Sequence, residues 1–193
     1  QGISYQEIAR KGGGILSTIQ KTRGAKASQL LKIGQERVDE YIRQGVTTVE
    51  VKSGYALTFE GEKKLLKAAG QLKKIRVVAT YMGPHALPPE FKTTSAYMDH
   101  IIQRDLPKLK KLASRVDIFV ESGFFSKQEG QKYFKAAKEL GFALSVHSDQ
   151  LSLSGGADLA VEFAAQSADH LIQIEEKEIA KLAKSNVTCT LLP

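Results

Sequence analysis

The sequence has no tryptophan, two methionines and a single cysteine among 193 residues. One cysteine excludes an internal disulfide and any cysteine-built zinc cluster. Cys189 instead reads as a small apolar strand residue of a reducing compartment. No apolar run approaches the roughly 20 residues that cross a bilayer, so no membrane partner is expected. The opening residues, QGISYQEIARKGGG, lack the basic-then-apolar layout of a secretory signal. They also lack an initiator methionine, which points to a processed chain or a segment of a longer one. The spellings H-x-H, H-E-x-x-H and C-x-x-C are all missing, and with them the local signatures of a complete metal site. Linkers, low-complexity tracts and internal repeats are absent too. Net charge is +7, but the lysines fall on helix-like segments (Lys63 and Lys64, Lys73 and Lys74, Lys108, Lys110 and Lys111, Lys135 and Lys138). No basic stripe interleaves with aromatics, so nucleic acid is not expected as a partner.

What remains is an ordinary globular composition, 42% hydrophobic and 25% charged, long enough to bury a sizeable core as one domain or part of a larger one. Strand-like runs cover 46–52, 76–81, 116–121, 142–147, 168–171 and 187–192. Helical patterns lie between them. Ser28 is placed to cap a helix that stops at Gly45. Thr58 is placed to cap the next, with Glu60 and Glu62 near its positive end. Ser126-Lys-Gln-Glu129 spells a capping box for a helix ending at Gly141. Further helices are expected over 95–104, 156–165 and 175–185, with Asn186 as a stop and Pro107 as a break or kink. The glycines at 12–14 lack the following Lys-Ser/Thr of a phosphate-binding loop, so a tight turn is the simpler reading.

Alternation of strand and helix predicts an α/β fold with a parallel sheet. An open doubly wound sheet and a closed (β/α)8 barrel both fit it. Polar groups at nearly every strand end favour the barrel, which collects ligand groups around one rim: Lys52, Ser53 and Tyr55; His85; Glu121; His147, Asp149 and Gln150; Asp169 and His170. Glu50 and Lys52 share one strand face and Val49 and Val51 the other, as an inner polar wall and an outer apolar wall require. Six strands are legible where a barrel needs eight, so the expected fold is an incomplete barrel.

Three of the four histidines stand at strand ends, and imidazole is the commonest metal ligand and proton shuttle near neutral pH. His100 lies in a helical stretch. His147 and Asp149, two residues apart, are placed to point inward together, with a turn role for Asp149 as the alternative. His170 is a candidate general base or proton shuttle. Gln150 cannot titrate and can only orient or bind. Tyr55 follows Ser53-Gly54 and offers a phenol to a substrate, or covers the barrel mouth. His85 sits between prolines that restrict its backbone.

The strings VEVKSGYAL, MGPHALPPEFK, VHSDQLS and SADHL, in this order, closely resemble imidazolonepropionases of the amidohydrolase superfamily, as does the upstream YQEIARKGGGILSTI. The resemblance covers essentially the whole chain and corresponds to the middle of the family sequence. It implies a partial amidohydrolase barrel over residues 1–193. The implied activity is metal-dependent hydrolysis that opens the ring of 4-imidazolone-5-propanoate to N-formimino-L-glutamate in histidine degradation, with zinc or iron. His147 matches the metal-ligand histidine of the fifth barrel strand and His170 the sixth-strand histidine beside the metal water. Tyr55, His85 and Gln150 match substrate-side positions; Gln150 stands where some members have Glu, which leaves His170 the better base. The resemblance also implies that an H-x-H ligand pair and a substrate-binding arginine precede Gln1. An aspartate ligand should follow Pro193, and the family's small β-domain should be missing. The chain alone is then expected to bind metal weakly or not at all. The expected partners are a small-molecule substrate and, in the complete cytoplasmic enzyme, a second copy in a homodimer. Two alternatives stay open: another cyclic amidohydrolase or deaminase of the superfamily, and a folded, non-catalytic fragment.

Overall fold

Runs with a period of two alternate with runs of helical period along the chain, and the backbone follows them. A computed structural model describes residues 15–192; the glycines at 12–14 lie outside the described residues. The strands are β1 (Thr48–Lys52), β2 (Arg76–Tyr81), β3 (Arg115–Val120), β4 (Ala143–Ser148), β5 (Ser167–His170) and β6 (Thr188–Thr190). The helices are α1 (Ile15–Gly24), α2 (Ala27–Arg43), α3 (Phe59–Ala69), α4 (Thr94–His100), α5 (Leu106–Leu109), α6 (Lys127–Glu139), α7 (Gly156–Phe163) and α8 (Glu176–Leu182). No described helix is long and apolar enough to cross a membrane.

Every neighbouring pair of strands is parallel, and the sheet order is the chain order, β1 to β6. A doubly wound sheet reverses its order at a switch point; this one never does. Its curl can be read from one side chain. β1 and β5 stand four strands apart, which in a flat sheet is about 19 Å, beyond any side chain's reach. Yet Lys52 Nζ lies 2.7 Å from Asp169 Oδ2. The six strands therefore form the wall of an incomplete (β/α)8 barrel with a concave inner face.

The two faces divide by chemistry, as alternation requires. Val116, Ile118 and Val120 of β3, Leu144 and Val146 of β4 and Ala168 of β5 point outward. They are buried against Tyr133, Phe134 and Ala137 of α6 and Leu159 and Ala160 of α7. Each Val, Ile, Leu or Phe among them contributes about 1.5–3 kcal/mol by leaving water. Lys52, Thr80, Asp117, Ser145, His147 and Asp169 occupy the inner face.

Helix starts follow their caps with one exception. Thr58 Oγ1 accepts the Gly61 N–H, and Ser126 and Glu129 exchange both capping-box bonds. Gly45 and Gly141 end their helices with φ of +83° and +77°. Ser28, however, is not a cap. α2 starts at Ala27 because the Gln29 side chain accepts the Lys26 N–H at 2.9 Å, which satisfies the helix end two residues before the expected cap. The helix expected over 95–104 is interrupted. Thr93 caps α4, and a π-helical turn, Ile101–Asp105, follows, in which the Leu106 N–H reaches Ile101 O. Pro107, which has no N–H to donate, sits in the first turn of the short α5, and the wider turn absorbs that break. Asn186 is not the stop of the last helix: α8 ends at Leu182, and Ser185 Oγ, bonded to Leu182 O and the Val187 N–H, turns the chain first. Cys189 lies in a strand as expected but is exposed, because β6 is an edge strand among the described residues.

Candidate functional site

Alternate strands of a barrel supply the side chains of one interior layer. Here β1, β3 and β5 supply Lys52, Asp117 and Asp169. Lys52 Nζ donates to Asp117 Oδ2 at 2.6 Å and to Asp169 Oδ2 at 2.7 Å. Asp117 is fully buried and accepts at its other oxygen, Oδ1, from His147 Nδ1 at 3.0 Å. Burial by itself favours a neutral Asp117, but His147 and Lys52 outweigh it and hold this carboxyl below the usual carboxylate range. Burial likewise pulls the Lys52 ammonium down, and the two aspartates more than reverse this, leaving it above the ordinary lysine value. Deeper in the barrel Glu50 accepts from Thr80 Oγ1 at 2.5 Å and from Arg115 at 3.2 Å.

Above this layer five rings follow the rim. Tyr55 meets His85 edge-on at 5.4 Å between centroids. His85 lies 6.0 Å from Phe119 and 6.2 Å from His147, and His147 lies 5.2 Å from His170. Strand register sets Phe119 beside His147, whereas His170 pairs with Ser148 and reaches the rim where the backbone leaves the strand with a positive φ. His85 is held by its backbone: its N–H donates to Gly83 O, and Pro84 O accepts the Phe119 N–H. Gly83 has no alternative, because a Cβ there would lie 2.0 Å from the Tyr81 hydroxyl. His85 Nδ1 lies 3.3 Å from Gly54 O; a carbonyl only accepts, so Nδ1 carries the proton. Burial first, then the neighbouring His147, pushes its pKa down to about 4. The same two causes, in the same order, lower His170. His170 and Leu171 have φ of +78° and +54°, a sparsely populated region for side-chain-bearing residues. The Leu171 N–H to Ser148 O bond and the Gln173 N–H to Asp149 O bond hold them there.

Two buried carboxylates shape the rim loops. Glu62, from the first turn of α3, accepts the N–H groups of Gly54, Ala56 and Leu57 at 2.6–2.9 Å and so fixes the loop that carries Tyr55. Gly54 in that loop has φ +96°, and a Cβ there would meet Met82 O at 2.4 Å. Glu121 accepts from the N–H groups of Ser122, Gln150 and Leu151 and from the Ser152 hydroxyl.

Tyr55, His85, His147 and His170 thus meet in one arc. Gln150 sits just past β4, half-buried, with its backbone tied to Glu121. His100 is remote from them, beside Asp105 and Phe91. Asp149 does not point inward with His147. Its φ is +50°, and its carboxylate caps α7 by accepting from the N–H groups of Ser154, Gly155 and Ala157; its role is that of a turn residue. Sequence reasoning missed Asp117 and Phe119 and gave Lys52 no role. A signal was present: Asp117 interrupts an otherwise apolar strand run, and Phe119 shares its face.

Asp117, His147 and Asp169 bring ligand-type atoms within 4.8 Å of one another, and no other such trio occurs among the described residues. The Lys52 ammonium already stands between the two carboxylates, where a cation of that trio would sit. The donor set therefore fits part of a metal centre: His147 Nε2 is free to ligate, with Asp117 behind it in the carboxylate–histidine arrangement usual at metal sites.

No protein-family model matches the chain. The imidazolonepropionase of Bdellovibrio bacteriovorus is 56% identical over the whole chain, which covers 46% of that protein. Those of Bacillus cereus and Shewanella piezotolerans are 45% and 42% identical, again over the whole chain, covering 47% and 49% of each. The chain belongs to the imidazolonepropionase family. It spans about half the length of these curated relatives. Its fold is similar to that of an Arabidopsis ADAL solved with IMP (TM-score 0.66, 9% identity, 96% of this chain and 64% of that one). An amidohydrolase from a Sargasso Sea environmental sample is also similar (TM-score 0.51, 18% identity, 90% and 44%).

Proposed function

We propose that this chain carries the substrate-facing arc of a metal-dependent hydrolase that opens 4-imidazolone-5-propanoate to N-formimino-L-glutamate. The observation that carries the reading is the convergence of Tyr55, His85, His147 and His170 on one rim in a chain 56% identical to an imidazolonepropionase. A zinc or iron ion held at His147 Nε2, with ligands outside the described residues, would polarise the lactam carbonyl and acidify water.

The chain's own residues have the remaining work. His170 is half-buried with a lowered pKa, so it is neutral near pH 7 and can take a proton from the attacking water. Oxygen adds to the carbonyl carbon, the ring C–N bond breaks, and that proton returns to the departing nitrogen. His85 is neutral and gives its Nδ1 proton to Gly54 O, so Nε2 is left as an acceptor. An acceptor suits a ring N–H and repels a carboxylate. The propanoate then falls to the donors on Tyr55 and Gln150. In the full-length protein, ring opening should require metal. His170→Ala should lower kcat by about 10²–10⁴-fold with KM within a few-fold. Turnover of a different heterocycle in place of imidazolone propanoate would sink the reading, and near-normal kcat would remove His170 from it.

A further inference from the structure

A charged layer lies beneath the rings. Lys52, Asp117 and Asp169 come from three different strands and meet within 2.7 Å in the barrel interior. Burying two carboxylates and an ammonium is seldom a route to stability, because apolar side chains of like volume do as well or better. Such a cluster is better explained by what it orients.

The geometry points to Asp117, clamped by Lys52, as the positioning residue that keeps the His147 proton on Nδ1 and its lone pair on Nε2. Both oxygens of Asp117 are engaged, Oδ2 by the ammonium at 2.6 Å and Oδ1 by the imidazole at 3.0 Å. An ammonium only donates, so Oδ2 accepts and carries no proton, and the positive charge 2.6 Å away favours the ionised carboxylate, which has none to offer His147. His147 Nδ1 must therefore donate. Lys52 also binds Asp169, the residue before His170. One ammonium thus ties the strand behind His147 to the strand that carries His170. The inference rests on the proposed function for its purpose, since only a lone pair on Nε2 can ligate from there. Its geometry stands without that reading.

The four histidines allow a direct measurement. Long-range ¹H–¹⁵N correlation spectra of the ¹⁵N-histidine-labelled folded chain, taken above about pH 8, report which nitrogen of His147 is protonated. The expected result is an excess of about tenfold or more of the Nδ1–H form, from a charge-assisted hydrogen bond. In Asp117→Asn the one remaining oxygen is claimed by Lys52. The amide NH₂ then faces Nδ1 and drives the proton to Nε2. Adding Lys52→Met frees the amide to rotate, and the Nδ1–H form should return. A merely structural role for Asp117 predicts neither the inversion nor its rescue. In the full-length protein, Asp117→Asn should weaken zinc binding by about 10–100-fold. A wild-type spectrum dominated by Nε2–H overturns the inference whatever the variants do, as does an Asp117→Asn spectrum identical to wild type. If imidazolone is not turned over but the spectra behave as expected, the proposed function fails and the positioning role survives.

Discussion

His85 is nine-tenths buried among aromatic rings, and its imidazole should make the fold sensitive to acid. Its pKa is about 4 in the folded chain, against 6.5 for the free side chain. Between those values the unfolded chain binds a proton that the folded chain refuses, so stability must fall as pH falls through that window. The limit of the effect is about 3 kcal/mol, and roughly 2 kcal/mol of it should be lost by about pH 5. Carboxylates held low in the fold, such as Glu121 and Glu129, titrate mostly below that point and should not obscure it. His170 shifts in the same direction, so a matched variant is needed. His85→Asn keeps a donor near the Nδ1 position for Gly54 O and cannot titrate. With no tryptophan in the chain, urea unfolding followed by far-UV circular dichroism is the natural assay. The wild type should lose roughly 2 kcal/mol more than the variant between about pH 7.5 and about pH 5. Parallel stability curves, within about 0.5 kcal/mol, would show that the imidazole charges freely in place and would refute the argument.

Three further outcomes follow from the same contacts. Lys52→Met leaves two buried carboxylates facing each other and should cost about 3–5 kcal/mol; adding Asp117→Asn and Asp169→Asn should recover most of it, checked by the same urea titration. Glu62→Ala strands three buried N–H groups and should cost about 2–4 kcal/mol. Amide hydrogen exchange in that variant should rise first at residues 53–57. Titrated with zinc, the chain as it stands should show no tight one-to-one binding by calorimetry, because three protein ligands are usual and Lys52 occupies the only trio among the described residues. Tight one-to-one binding would contradict this account of the donor set, whether or not it survives His147→Ala.

Local signals carried much of the architecture. The strand runs, the Thr58 cap, the Ser126–Glu129 box and the Gly45 and Gly141 stops involve residues a few positions apart. Short-range sterics and hydrogen bonds decide them whatever the rest of the chain does. Ser28 failed as a cap because Gln29 ties back to the Lys26 N–H and starts the helix before Ser28, a competition that a single-residue signal does not reveal. The helix over 95–104 broke into a π-helical turn because Pro107 acts back on the turn before it.

The sequence by itself determined that strands and helices alternate, that polar residues gather at strand ends, and that His147 and His170 stand at adjacent ones. Those properties live in spacing along the chain. Only the tertiary structure decided that Lys52 would reach Asp169 across 117 positions, that Asp117 would stand behind His147, and that Asp149 would turn away to cap α7. These depend on sheet curl and strand register, which bring together residues distant in sequence and set one side chain's partner by excluding others. The residues that gather at the rim were legible in the sequence. The charged layer beneath them was not, because an isolated Lys or Asp in a strand looks the same whether it faces solvent or a closed barrel.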